Sequence, residues 1–154
     1  MELIMKSASQ RYGLRTEQMT EQFIIDRKRS KIAPQLVKSK LEKHGWTVSL
    51  VPDGYFPAYD LSATKGDLRF LAEVKMDYRA HETGNICLEL EALSHSKASI
   101  LFFCTNDKTY MLPIDDARTL ASNHPVKRIV GEHGEQAALI PLQTFESLSY
   151  VKKI

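Results

Sequence analysis

Hydrophobic and polar positions change period along this chain, and the changes mark its elements. Residues Trp46–Val51, Phe56–Ala63 and Leu68–Met76 read as three strands. In the third, Phe70, Ala72 and Val74 fall on one face and Glu73 and Lys75 on the other, because side chains alternate along a strand. Pro52-Asp53-Gly54 joins the first pair, proline fixing φ and glycine supplying a positive φ. Thr64-Lys65-Gly66-Asp67 joins the second. Upstream, the spacing predicts a helix from Thr16 to about Arg29, capped by Thr16, with Met19, Phe23 and Ile24 on one face. A second helix starts at Ala33-Pro34, carries Leu36, Val37 and Leu41, and stops at His44-Gly45.

Downstream, Ile86–Leu93 reads as a strand with Ile86, Leu88 and Leu90 inward and Glu89 and Glu91 outward; continuation as a helix is the alternative. A short helical turn over Ser94–Ala98 leads to a strand over Ser99–Cys104, which holds the longest apolar run, Ile100–Cys104. Thr109–Pro113 is a further strand. Ile114-Asp115-Asp116 then opens a helix to about Ala121, its acids favourable at the N-terminus. Val126–Val130 and Ala137–Pro141 predict a hairpin across Gly131–Gly134, and Gln143–Leu148 a short final helix. Interleaved strands and helices imply an α/β (or α+β) fold around one mixed sheet.

Composition narrows the class without naming a function. The 154 residues, 43% hydrophobic and 26% charged, suit one globular domain spanning 1–154. No apolar stretch approaches the roughly 20 residues of a membrane span. The start, Met1 to Lys6, lacks the long apolar core of a secretory signal. Cys87 and Cys104 both fall in predicted strands, so a reducing cytoplasm without a disulfide is expected. Net charge is +2, unevenly spread: residues 1–45 hold ten Lys/Arg against five Asp/Glu, the remainder eleven against fourteen. The basic excess lies in Arg27-Lys28-Arg29, Lys31, Lys38, Lys40 and Lys43. Such a face can track phosphates, although a solvated helix face carries the same signature.

Asp60, Glu73 and Lys75 bear the chemistry. Two carboxylates on neighbouring strands with a lysine beside them are the parts needed to hold a hard divalent cation next to a nucleophilic water. Asp53 lies in a turn signal and reads as a hairpin tip. Competing chemistries lack their parts. His44, His81, His95, His124 and His133 form no close metal-ligand pair, and there is no CxxC, Walker-type loop or Gly-x-Ser-x-Gly elbow. His81 and His95 flank the carboxylates in sequence. Tyr55, Phe56 and Tyr59 read as packing residues that also have faces for stacking on bases.

With Asp60, Glu73-Val74-Lys75 and Thr83-Gly84-Asn85-Ile86-Cys87-Leu88-Glu89, the chain resembles the PD-(D/E)XK nuclease superfamily. The likeness is greatest to small phage-type endonucleases and Holliday-junction-resolvase-like members. Tyr59, not proline, precedes the aspartate. The resemblance implies a restriction-endonuclease-like αβββαβ core over about 33–112, its central mixed sheet flanked by helices. Residues 1–32 would be a basic helical extension and 113–154 a β/α elaboration. It also implies that Asp60, Glu73 and the Val74 carbonyl bind Mg²⁺ or Mn²⁺, and that Lys75 orients water or stabilises the transition state. Glu89 is a candidate additional acid. Glu21 is another, from the first helix, with Glu17 second to it. Arg27, Lys28, Arg29, Lys31 and Lys97 would contact the nucleic acid.

The implied activity is metal-dependent hydrolysis of phosphodiester bonds in DNA, with RNA not set aside. So small a chain would be structure-selective or low in sequence specificity, and a branched substrate would favour a homodimer. A phage origin would place it in the host cytoplasm, with no membrane partner. The alternative is a non-catalytic nucleic-acid-binding or inhibitor protein on the same fold.

Overall fold

The computed structural model describes residues 31–52, 54, 55, 57–124, 127–130 and 135–154. The expected helix at Thr16–Arg29 lies outside these residues, as do Glu17, Glu21, Arg27, Lys28, Arg29, Asp53, Phe56, Val126 and His133. A helix over residues 31–43 (α1) leads into strands β1 (Thr47–Leu50), β2 (Leu61–Lys65) and β3 (Leu68–Met76). There follow α2 (Ala80–Thr83), β4 (Asn85–Glu89), α3 (Leu90–His95), β5 (Ile100–Cys104), β6 (Thr109–Pro113) and α4 (Ile114–Asn123). The chain continues with β7 (Lys127–Val130), β8 (Glu135–Pro141), α5 (Leu142–Ser147) and β9 (Lys152–Lys153).

The main sheet runs β1-β2-β3-β5-β6-β9. Only the β3–β5 pair is parallel within it; the other pairings are antiparallel. Parallel neighbours need a crossover, and here residues 77–99 supply it, carrying α2, β4 and α3. The two hairpins follow from local chemistry. At the β2–β3 turn Gly66 has φ +59, a conformation that costs glycine little. Central β5 is buried on both faces, which explains its unbroken apolar run.

Two apolar clusters sandwich this sheet. On one side Ala33, Val37 and Leu41 of α1, spaced four apart, pack over Val48, Leu61, Ala63, Ala72, Val74, Phe102 and Cys104. On the other, Leu101, Phe103, Tyr110 and Leu112 meet Leu93 of α3, Ala117 and Ala121 of α4, and Phe145. Ile86 and Leu88 of β4 and Ala138 and Ile140 of β8 complete that cluster.

Four expectations change. The second strand begins at Leu61 rather than Phe56, so Asp60 stands just before it. Of the apolar positions of α1, Val37 and Leu41 face the core with Ala33, and Leu36 is exposed. The second helix is already formed at residue 31, upstream of Ala33. The stretch 86–93 is split: a strand ends at Glu89, Leu90 starts a helix, and that helix replaces the turn expected at Ser94–Ala98. Alternation in Ile86–Glu89 satisfies a strand, whereas Leu90 and Leu93, three apart, satisfy a helix. The predicted C-terminal hairpin forms as β7–β8, but in a separate sheet, order β4-β8-β7, with β4 as third member.

Candidate functional site

Period and register bring three of the expected residues together. Leu61 pairs with Ala72, both buried under α1. One step outward along the same antiparallel register sets Asp60 opposite Glu73, on the other face. The parallel register sets Glu73 against Leu101 and Lys75 against Phe103, so the acid and the base lie on the α3 side of the sheet.

Asp60 is held by its backbone and its carboxylate. Its N–H donates to the Ala72 carbonyl (2.8 Å) and its carbonyl accepts from Val51 N–H (3.0 Å). Beyond that point the chain leaves β3, and the Asp60 Oδ2 accepts the Val74 N–H at 2.7 Å. The side chain thus replaces a missing ladder carbonyl. The Asp60 carboxyl is pushed above the ordinary carboxylate range, chiefly by burial. The Val74 N–H and the Lys75 charge act against this shift, and the neighbouring Glu73 adds to it.

Both Glu73 oxygens are engaged: Oε1 lies 3.1 Å from Lys75 Nζ, and Oε2 accepts the Ser96 hydroxyl at 2.9 Å. The Glu73 side chain is 12% exposed and Lys75 36%, so the pair sits at the lip of the fold rather than inside it. Beside the carboxylates is an open hollow lined by Pro57, Ala58, Tyr59, Ala92, His95 and Ser96. Across Lys75 a smaller depression is bounded by Met76, Cys87, Leu88, Glu89, Leu93 and Phe103. Glu89 therefore shares a recess with Lys75. Glu91 is exposed, with its carboxylate 3.7 Å from His95 Nε2.

The remaining expected residues are dispersed. Lys97 is exposed and follows Ser96 directly, its N–H donating to the Ala58 carbonyl at 2.7 Å. Lys31, Lys38, Lys40 and Lys43 belong to α1, which covers the opposite face of the sheet from Glu73 and Lys75. His81 Nε2 lies 2.6 Å from Asp107, tying α2 to the β5–β6 turn. Tyr55 is exposed, whereas Tyr59 packs against the core.

Thr83-Gly84-Asn85 is a structural joint. Gly84 ends α2 at φ +71 with its N–H on the Ala80 carbonyl, and Thr83 and Asn85 bond each other through side chain and backbone. Sequence reasoning missed Ser96 and Arg118. Arg118 Nε donates to the Leu93 carbonyl (2.9 Å), Nη2 to the Ser96 carbonyl (2.7 Å) and Nη1 to Asp115 (2.8 Å). A serine after an apolar helix and an arginine three residues after an aspartate gave no signal of their own.

The donor set suits a hard cation. Among the described residues no three His, Cys, Asp or Glu side chains form a metal-binding group. Asp60 and Glu73 do place like charges close together, half out of water, an arrangement a divalent cation relieves. Two carboxylates with a main-chain carbonyl and water match the oxygen preference of Mg²⁺ and Mn²⁺.

No family model matches the chain, and no curated protein matches it. A bacterial homing endonuclease, I-Ssp6803I, superimposes with TM-score 0.47 at 18% identity, over 58% of this chain and 69% of its own. The Holliday junction resolvase Hjc of the archaeal hyperthermophile Archaeoglobus fulgidus superimposes with TM-score 0.50 at 13% identity, over 77% of this chain and 88% of its own. The mixed sheet flanked by helices is thus a resolvase-type nuclease fold, matching at the level of fold the resemblance read from Asp60, the Glu-Val-Lys strand and the Thr-Gly-Asn joint.

Proposed function

We propose that this chain is a metal-dependent endonuclease that hydrolyses phosphodiester bonds in DNA, structure-selective or low in sequence specificity. The observation that carries the reading is the meeting of Asp60, Glu73 and Lys75 on one sheet face beside an open hollow. Asp60, Glu73 and the Val74 carbonyl would hold Mg²⁺ or Mn²⁺. When bound, that cation supplies Lewis acidity, acidifying water and neutralising charge that grows on the scissile phosphate.

The chain's own residues do the rest. Glu73 keeps its carboxylate fixed between Ser96 and Lys75. Lys75, with its side chain about one-third exposed, is placed to donate to attacking water or to the phosphate oxygens as they gain charge. Glu89, in the adjoining recess, adds an acceptor on the far side of Lys75. Lys97, exposed at the end of the hollow's wall, gives a phosphate contact on the same side of the sheet. A branched DNA substrate would call for a homodimer, two sites related by symmetry cutting opposed strands.

The test is cleavage of duplex, single-stranded and four-way-junction DNA, and of RNA, in Mg²⁺, Mn²⁺ or EDTA. Wild type is run beside Lys75→Ala and Asp60→Asn. Metal-dependent cutting lost in both variants is expected. Intact substrates throughout, with salt-sensitive binding retained, would instead make the chain a binding module on a nuclease fold.

A further inference from the structure

The Ser96 hydroxyl has one proton and two acceptors in reach: Glu73 Oε2 at 2.9 Å and the Ala58 carbonyl at 3.2 Å. It also accepts the Ala98 N–H at 3.2 Å, which occupies one of its lone pairs. The charged acceptor is both the nearer and the stronger, so the proton goes to Glu73. The Ala58 carbonyl is left to the Lys97 N–H at 2.7 Å. Ala58 lies two residues before Asp60. Residues 96 and 97 therefore hold both carboxylates: one through a side chain, the other through the backbone that leads to it.

These two residues sit just past the last turn of α3, a helix of only six residues. Its unpaired C-terminal carbonyls would leave that end free to fray. Arg118, arriving from α4, prevents this by donating to the carbonyls of Leu93 and Ser96. Nη1 rests on Asp115, which orients the guanidinium. Three acceptors in a planar fork match arginine and exceed what a lysine ammonium on a flexible stem can serve.

We propose that Arg118 and Ser96 are positioning residues for the two carboxylates. Arg118 fixes the end of α3, and Ser96 with the Lys97 N–H transmits that position to Glu73 and to the segment bearing Asp60. The inference rests on the metal-dependent reading above for its functional consequence, but its structural half stands apart from that reading.

Mn²⁺ binding by electron paramagnetic resonance, in wild type and in Ser96→Ala, Ser96→Thr, Arg118→Met and Arg118→Lys, tests the functional half. Ser96→Ala and Arg118→Met should weaken Mn²⁺ about 10- to 100-fold, as loss of a ligand's hydrogen-bond partner does. Ser96→Thr, which keeps the hydroxyl, should recover binding, and Arg118→Lys should not. Wild-type affinity in Ser96→Ala or Arg118→Met overturns the proposal. If Arg118→Met fails to fold by circular dichroism, the Ser96→Ala and Ser96→Thr pair decides.

Hydrogen exchange at the Lys97 amide tests the structural half without any metal. Arg118→Met should lose protection there, while amides of β5 keep theirs. Unchanged protection at Lys97 overturns the proposal even if wild type binds no Mn²⁺. That last result would by itself remove the metal reading, so the two failures are distinguishable.

Discussion

The two faces of β3 carry opposite chemistry from interleaved residues. Ala72 and Val74 are sealed beneath α1, while Glu73 and Lys75 are partly open beside α3. The first face has no polar side chain to satisfy, so its stability comes from apolar area removed from water. The second accepts a cost, a half-buried Asp60 next to Glu73, which the apolar face offsets. A strand lets one element do both because its period is two. The comparison also places the described lysines of α1 on the stabilising face, whereas Lys75 and Lys97 stand on the site's side.

The sharpest break comes on the sealed face. Phe102→Ala removes a fully buried ring facing Val74 and should cost about 3–5 kcal/mol in urea unfolding. Cleavage per folded molecule should stay near wild type. A fall in cleavage larger than the fall in folded fraction accounts for would show that the two faces are not separable.

Lys75→Ala should do the converse. Its ion pair with Glu73 is partly exposed and contributes at most about 1 kcal/mol to folding. Metal-dependent cleavage should fall by roughly 100- to 1000-fold, the usual loss when one transition-state donor is removed. An equal loss of stability and rate would make Lys75 structural.

Asp60→Asn isolates the electrostatic cost. A folded carboxyl raised above its unfolded value binds more protons than the unfolded chain, so stability falls as pH rises from below the ordinary 3.8 up through the raised folded value. The amide should flatten that slope while still accepting the Val74 N–H. In metal-free buffer at neutral pH the variant should melt no lower than wild type. Mg²⁺ should raise the melting temperature of wild type and leave the variant's unmoved. Glu89→Gln should have the mildest effect, about tenfold on cleavage with unchanged melting, as an outer partner of the site.

Much of this was legible because it depends on period. The β1–β2–β3 hairpins, the split of faces at Phe70–Lys75, the buried run of β5 and the acidic start of α4 all follow from local pattern. What was not legible depends on distant partners. Nothing within residues 86–93 says that β4 will pair with β8, since its register, Asn85 with Pro141 through Glu89 with Ala137, crosses about fifty residues. The start of β2 was misplaced because apolar Phe56-Pro57-Ala58-Tyr59 imitates a strand in sequence, while in the fold Pro57, Ala58 and Tyr59 line a hollow and Tyr59 packs on the core. Ser96 and Arg118 stayed hidden because serine and arginine acquire meaning only from the carbonyls and carboxylate that the fold brings to them.

The β4–β8 pairing also has a consequence in time. The segment that carries α3 and Ser96 is anchored to a strand more than forty residues downstream, and such distant contacts form late, after loop closure. The α1 and β1–β3 side, built from near neighbours, can close first. Trp46, stacked edge-on with Phe70 at 4.9 Å, reports that side. On dilution from denaturant, its fluorescence should recover before the Lys97 amide gains protection, so that the scaffold is complete before the centre it supports.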